Sequence, residues 1–361
     1  MHDAIGGIHN HPSQKMHTHT FVESPHILSE GALDSCIQGL HKVVAEGKCT
    51  ELGLLVTLED ENLPFTCVEG DKLAIAFWCI PQVYMACQRY FFHGSKEESV
   101  TPLMACTVSL LINAENYSYW NFRKTQILEA SLSTSRELAF LDLIFSKHPK
   151  SGEAWNHRRW VLAQHTLSPT GLQHELDIAL KAAERYPRNY YAWTFRRYLS
   201  SHANFQFPHA HLAELQQLQT FVRRHVGDYS VCHYRQQLLL DFGRKMGGCG
   251  CNAAGSGPCL VGAVWEAEMQ LSQDILTRFP GHASQWQHRR QCVIALTQAS
   301  WMQQHCFGCL ASLLHNECQT QSWMLPLQQY SPEEAERVQR YQQILSRVTL
   351  SLPSPSPSKS Q

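Results

Sequence analysis

Residues 187–197 read Pro187-Arg188-Asn189-Tyr190-Tyr191-Ala192-Trp193-Thr194-Phe195-Arg196-Arg197, and the end of that stretch recurs along the chain. Under Trp193-Thr194-Phe195-Arg196 fall Trp120-Asn121-Phe122-Arg123, Trp155-Asn156-His157-Arg158, Cys232-His233-Tyr234-Arg235 and Trp286-Gln287-His288-Arg289. The shared pattern is Trp, any residue, an aromatic or His, then Arg. Successive anchors lie 35, 38, 39 and 54 residues apart, a period of paired-helix repeats rather than of strands or propeller blades.

Residues around each anchor say how a unit is built. Four positions upstream stand Asn116, Ser151, Asn189, Asp228 and His282; the first four are side chains whose oxygens accept from the free N–H groups of a helix start. Pro149, Pro187 and Pro280 come two residues earlier and end the preceding helix, because proline disfavours helix in the residue before it. The preceding segments carry helical apolar spacing, Leu138, Leu141, Ile144 and Phe145 before the second anchor and Trp265, Met269, Ile275, Leu276 and Phe279 before the fifth. No segment shows a comparable period of two, so the fold class expected is all-α, with each unit a helix, a tight turn and a second helix. Trp and Arg three apart share one helix face. Packing and stacking between units is the favoured role for the arginines; the alternative is that together they line an anion-binding or partner surface.

The third unit, with Pro149-Lys150-Ser151 through Trp155-Asn156-His157-Arg158-Arg159-Trp160 nearly as good, resembles the α-subunit repeats of protein prenyltransferases, whose pattern is Pro-x-Asn-Tyr-x-Ala-Trp-x-x-Arg. The similarity runs from about Val108 to Thr297 and carries no added immunoglobulin-like or leucine-rich module. It implies a right-handed α/α superhelix, a solenoid of five helical-hairpin repeats, wrapped around a separate β subunit that holds the catalytic zinc and most of the isoprenoid pocket. No cofactor is then expected in this chain. Lys150 matches the family lysine that approaches the diphosphate and is the candidate catalytic residue, with an exposed lysine after a helix-ending proline as the plain alternative. Asn189 and Tyr190 match residues near the active-site mouth and are the candidate substrate-binding pair; capping and inter-helix packing are sufficient roles for both. The second unit departs from the pattern at Ser151-Gly152, the fourth at Cys232 and the fifth at His282-Ala283.

The activity implied is that of an α-type subunit of a heterodimeric protein geranylgeranyltransferase. It would pair with a Rab-type β subunit and move an isoprenoid from its diphosphate to a cysteine of a SNARE-like or small-GTPase trafficking protein. The alternative is a non-enzymatic helical-repeat scaffold for protein partners. Composition fits either: 361 residues, 43% hydrophobic and 17% charged with a net charge of −1, which does not favour a nucleic-acid binder.

The 14 cysteines accompany no recognisable leader peptide and no apolar run long enough to span a bilayer, so a cytoplasmic chain with free thiols and no membrane insertion is expected. Cys249, Cys251 and Cys259 lack a zinc-site spacing; Cys306-x-x-Cys309 with His315 and Cys318 comes closer but overlaps an apolar helical segment, so no metal site is assigned. The organisation expected is a His-rich disordered tail over 1–20, a capping region over 21–105 and repeats over 106–300 with a flexible insertion at 246–262. C-terminal helices follow over 301–350, then a Ser/Pro tail over 351–361. Ser331-Pro332-Glu333-Glu334 reads as the start of a closing helix, with Ser331 as N-cap.

Overall fold

The computed structural model describes residues 27–56, 65–94, 99–164, 166–202, 205–246, 260–298, 313–318 and 324–351. The His-rich tail, residues 247–259 of the insertion and all but the first residue of the Ser/Pro tail lie outside these.

Hairpins follow one another as the anchors do. They are α3 (Pro102–Ile112) with α4 (Tyr117–Leu128), α5 (Thr134–Lys147) with α6 (Gly152–Leu162), α7 (Pro169–Arg185) with α8 (Tyr190–Ser200), α9 (His209–Arg224) with α10 (Tyr229–Met246) and α11 (Leu260–Arg278) with α12 (Ala283–Gln298). The anchor-bearing helices α4, α6, α8, α10 and α12 pack side by side in chain order. Trp120, Trp155, Trp193 and Trp286 are buried with Leu141, Ile144, Phe145, Trp265, Met269, Ile275 and Leu276. Phe279 does not join that core: it is 46% exposed, one residue past the end of α11 and against the His282 ring.

A short helix, α13 (313–318), and α14 (Pro332–Ser351) follow. Ser331 opens α14 with a reciprocal capping box, its hydroxyl accepting from Glu334 N while Glu334 Oε2 accepts from Ser331 N at 2.9 Å. Arg337 ties the helix to the last hairpin by donating to Gly281 O at 2.7 Å.

The all-α expectation is corrected by the region before the repeats. After α1 (Glu30–Glu46) comes a three-stranded sheet of β1 (Glu51–Leu55), β2 (Thr66–Glu69) and β3 (Lys72–Ala76), in the order β1-β3-β2, with β1 parallel and β2 antiparallel to β3. Helix α2 (Ile80–His93) leads to α3. The strands escape a search for alternation because they are short, and Leu73, Ile75 and Ala76 of β3 are all buried, as in strands covered on both faces. The sheet docks on the repeats where Leu52 N donates to Ser146 Oγ of α5 at 2.8 Å and Glu51 pairs with Arg185 of α7 at 2.8 Å.

Candidate functional site

Each anchor arginine reaches out of its own hairpin into the next. Arg123 grips Glu137 through Nε and Nη2 at 2.9 and 2.6 Å, Arg158 grips Glu175 at 2.6 and 2.8 Å, and Arg196 grips Glu214 at 2.6 and 2.8 Å. Arg235 with Glu268 and Arg289 with Glu317 repeat the geometry, with Nε to Oε1 at 2.9 and 2.8 Å. The remaining nitrogen ties the same guanidinium back to its own hairpin. Arg196, Arg235 and Arg289 donate through Nη1 to the carbonyls of Leu176, Leu215 and Met269 at 2.5, 2.6 and 2.5 Å, in each case 20 residues upstream. Arg158 Nη1 reaches the equivalent carbonyl of Leu138 at 3.4 Å and also donates to Asp142 at 2.6 Å, whereas Arg123 donates instead to Thr107 Oγ1.

The variable third position of the pattern now has a chemical meaning. His157 bonds Glu137 at 2.7 Å, Tyr234 OH donates to Glu214 at 3.0 Å and His288 bonds Glu268 at 2.8 Å, each across 20 residues. The glutamate is therefore held by the arginine of one hairpin and the third-position side chain of its own. Phe195 has no polar tip to offer Glu175, and there Asp142 shares Arg158 instead. The anchor indoles pack on the same third-position rings of the next unit, with centroids 4.7 Å apart for Trp120 and His157, 4.9 Å for Trp155 and Phe195, and 5.6 Å for Trp193 and Tyr234.

Electrostatics follow from this pairing. Burial by itself would raise the Glu137 carboxyl, but the Arg123 charge and the His157 hydrogen bond outweigh it and hold the group at about 2; Glu268, between Arg235 and His288, is depressed for the same reasons. His157 goes the other way, pushed below its ordinary value by burial, so it serves Glu137 as a neutral Nε2–H donor.

The candidate substrate-facing residues gather at the turn end of the anchor helices. Ser151 caps α6 and donates to Ala114 O at 2.9 Å, and Asn189 caps α8 and donates to Pro149 O at 2.6 Å. A carboxylate cannot donate, so Asp228 accepts instead, from Arg188 N at 2.9 Å. Arg188 takes a positive φ of 58° there, and the Trp193 indole N–H, whose counterparts in Trp120, Trp155 and Trp286 donate to the carbonyl six residues upstream, is left buried without a partner. At the fifth unit, where His282 replaces a capping type, Ser284 Oγ and Gln285 Nε2 both donate to Val226 O, at 2.7 and 3.0 Å.

Lys150 is exposed at this end, its ammonium 4.0 Å from the centre of the Tyr186 ring. Asn189 is fully buried and holds the carbonyl immediately before Lys150, so the two meet at one turn. Tyr190 is 65% exposed, edge-on to Tyr191. Gly152, at the first position of α6, leaves room for a neighbour: a Cβ there would lie 2.9 Å from the Tyr191 ring.

One row escaped the reading of the motif. The residue after each anchor arginine is Lys124, Arg159, Arg197, Gln236 or Arg290, basic in all but the fourth unit. Arg159 is half-buried, with Nε unpartnered; burial lowers its pKa, against the opposing pull of Tyr190 and Tyr198. The signal was in the Arg-Arg doublets, but a doublet does not tell which of its members faces outward.

Among the described residues no group of three or more His, Cys, Asp or Glu side chains is placed to hold a metal ion, and no helix is long and apolar enough to cross a membrane. Cys249, Cys251, Cys259, Cys306 and Cys309 lie outside the described residues; Cys318 Sγ is 3.8 Å from Leu345 O.

A hairpin whose second helix opens on a capped turn and carries Trp-x-x-Arg is the unit of a prenyltransferase α-subunit repeat protein. The family model "Protein prenyltransferase alpha subunit repeat" matches residues 134–165, 172–203 and 211–242, which correspond to α5–α6, α7–α8 and α9–α10. The chain is 28% identical over 332 residues, 78% of its length and 76% of the relative's, to protein prenyltransferase alpha subunit repeat-containing protein 1 of Danio rerio. It is 30% identical over 292 residues to the Homo sapiens protein of that name, covering 66% of this chain and 71% of the relative. The chain belongs to this family of protein prenyltransferase alpha subunit repeat-containing proteins. It is also 28% similar by identity to the geranylgeranyl transferase type-2 subunit alpha of Rattus norvegicus over 208 residues, 55% of this chain but 34% of that one.

Proposed function

We propose that this chain is the α-type subunit of a cytoplasmic, heterodimeric protein geranylgeranyltransferase. Its hairpins curve as a right-handed α/α superhelix around a Rab-type β subunit, and the complex transfers an isoprenoid from its diphosphate to a cysteine thiol of a SNARE-like or small-GTPase trafficking protein. The observation that carries the reading is the turn end of α6 and α8. There Asn189 fixes the carbonyl before an exposed Lys150, Tyr190 stands open to solvent, and the arginines of the motif are consumed in holding hairpins together. The similarity to a geranylgeranyl transferase alpha subunit supports it.

The division of labour is chemical. Zinc, held by the β subunit, would supply a thiolate nucleophile at neutral pH. As the sulfur bonds to the allylic carbon, the carbon–oxygen bond breaks and negative charge builds on the departing diphosphate. Lys150 meets that charge; Asn189 positions its turn, and Tyr190 lines the mouth.

Co-expression with a Rab-type β subunit and assay with geranylgeranyl diphosphate tests this. A 1:1 complex that prenylates a cysteine-bearing acceptor is expected, with Lys150→Ala lowering kcat by about 10²-fold and leaving assembly unchanged. Assemblies free of a β subunit, with no transfer, would support the scaffold reading instead.

A further inference from the structure

The basic doublets of α4, α6 and α8 point two ways. They are Arg123-Lys124, Arg158-Arg159 and Arg196-Arg197. The first member of each is buried and gripped by a glutamate of the following helix; the second lies roughly 100° further round its helix and reaches the surface. Among the described residues none of Lys124, Arg159 and Arg197 has a carboxylate partner. Lys124 Nζ donates to Asn121 at 3.2 Å and lies 5.8 Å from the centre of the Trp160 ring, and half-buried Arg159 keeps Nε unpartnered. In a chain with 31 acidic residues, Glu153 is the only one these three helices contain. Because α6 packs against both α4 and α8, the three cations form one row. Two rings stand in it: Trp160, stacked on His157 with centroids 6.0 Å apart, and Tyr198, against Phe195 at 6.0 Å.

We propose that this row docks an acidic α-helix of a partner protein, whose carboxylates meet Lys124, Arg159 and Arg197 in turn. Three physical points select that occupant. Cations without a carboxylate of their own are complementary to carboxylates from outside, and the planar guanidinium forks of Arg159 and Arg197 match them two bonds at a time. Packed helices lie roughly 8–10 Å apart, so the row repeats at about the distance between carboxylates seven residues apart on a helix, roughly 10 Å at 1.5 Å per residue. A nucleic-acid strand carries a charge every ~3.4 Å of its axis, far more densely than the row. Trp, Tyr and Arg are also the side chains enriched where protein partners bind. The inference goes beyond the transferase reading, since it names what a partner presents to these helices and no step of a reaction.

The test uses the full chain and a fluorescein-labelled alanine–glutamine helix with three glutamates seven residues apart, its binding followed by anisotropy at low ionic strength. The same helix with glutamine for glutamate, and one with its glutamates on successive residues, should each bind more weakly, by about tenfold and about threefold. Arg159→Gln with Arg197→Gln should weaken the spaced-glutamate peptide about tenfold, while Lys181→Gln, which removes an exposed cation of α7, should leave its affinity unchanged. If Arg159→Gln does not fold, Lys124→Gln with Arg197→Gln takes its place. Equal binding of the glutamine peptide, or undiminished affinity in a folded variant of the row, overturns the site. Equal binding of the peptide with successive glutamates overturns the helical occupant, and tighter binding of a thymidine oligonucleotide overturns the polypeptide. None of these readings needs the β subunit, so the outcome is separate from that of the transferase assay.

Discussion

Taking one member from a buried ion pair strands the other charge, whereas replacing both by apolar side chains removes the problem together with the pair. Arg196 and Glu214 make the contrast measurable, since both are buried and the glutamate also accepts a hydrogen bond from Tyr234. Arg196→Ala is expected to cost about 3–5 kcal/mol in denaturant unfolding, and Arg196→Met with Glu214→Leu much less. Equal losses in the two would mean that the pair stabilises the fold in its own right. Gly152 tests packing at the same scale: Gly152→Ala should raise helix stability by up to ~1 kcal/mol in a Tyr191→Ala background, and by less or not at all when the Tyr191 ring occupies the space the methyl needs. The arginines were legible in the sequence because they recur at fixed places. Their glutamates were not, since they lie 14, 17, 18, 33 and 28 residues downstream, spacings set by loop lengths that leave no motif.

At the scale of a helix pair, α9 and α10 enclose a residue that the array does not need as a base. His211 is buried among Phe205, Phe207 and Phe242 with neither ring nitrogen partnered. Burial, together with the Lys245 charge and against Asp241 and Glu214, lowers its pKa from 6.5 to about 4. An unfolded chain then takes up the proton first as pH falls, so this residue's contribution is whole above pH 6.5 and declines between 6.5 and 4, by at most about 3 kcal/mol. His211→Leu should flatten that part of the stability–pH profile and preserve or raise stability at pH 7. An unaltered slope would mean that other groups set it. The turns between helices show why elements were easier to read than their joints. Caps are visible as residue types, but whether a cap donates, as Asn189 does to Pro149 O, or accepts, as Asp228 does from Arg188 N, is decided by a carbonyl or amide in another hairpin. The sheet stayed hidden for a related reason, because β1 and β3 are short and β3 buries the adjacent pair Ile75 and Ala76 as well as Leu73, which breaks strict alternation.

Across the whole molecule the clamps form a chain of nearest-neighbour links, each arginine joining the helix before its own to a glutamate in the helix that follows. A repeat array of this kind has a stability that sums over interfaces, so damage should be felt according to where the link sits. Arg289 makes the last link: it holds Glu317 of α13 and Tyr341 of α14, while Trp286 packs on the Tyr341 ring. Arg289→Ala is therefore expected to speed amide hydrogen exchange in α14 by about 10²-fold or more while leaving α4, α6 and α8 protected as before. Arg196→Ala breaks a central link, and should raise exchange on both sides of it, in α7–α8 and α9–α10 alike. If the two substitutions raised exchange uniformly over all hairpins, the protein would be one cooperative unit, and the link-by-link account of its stability would fail.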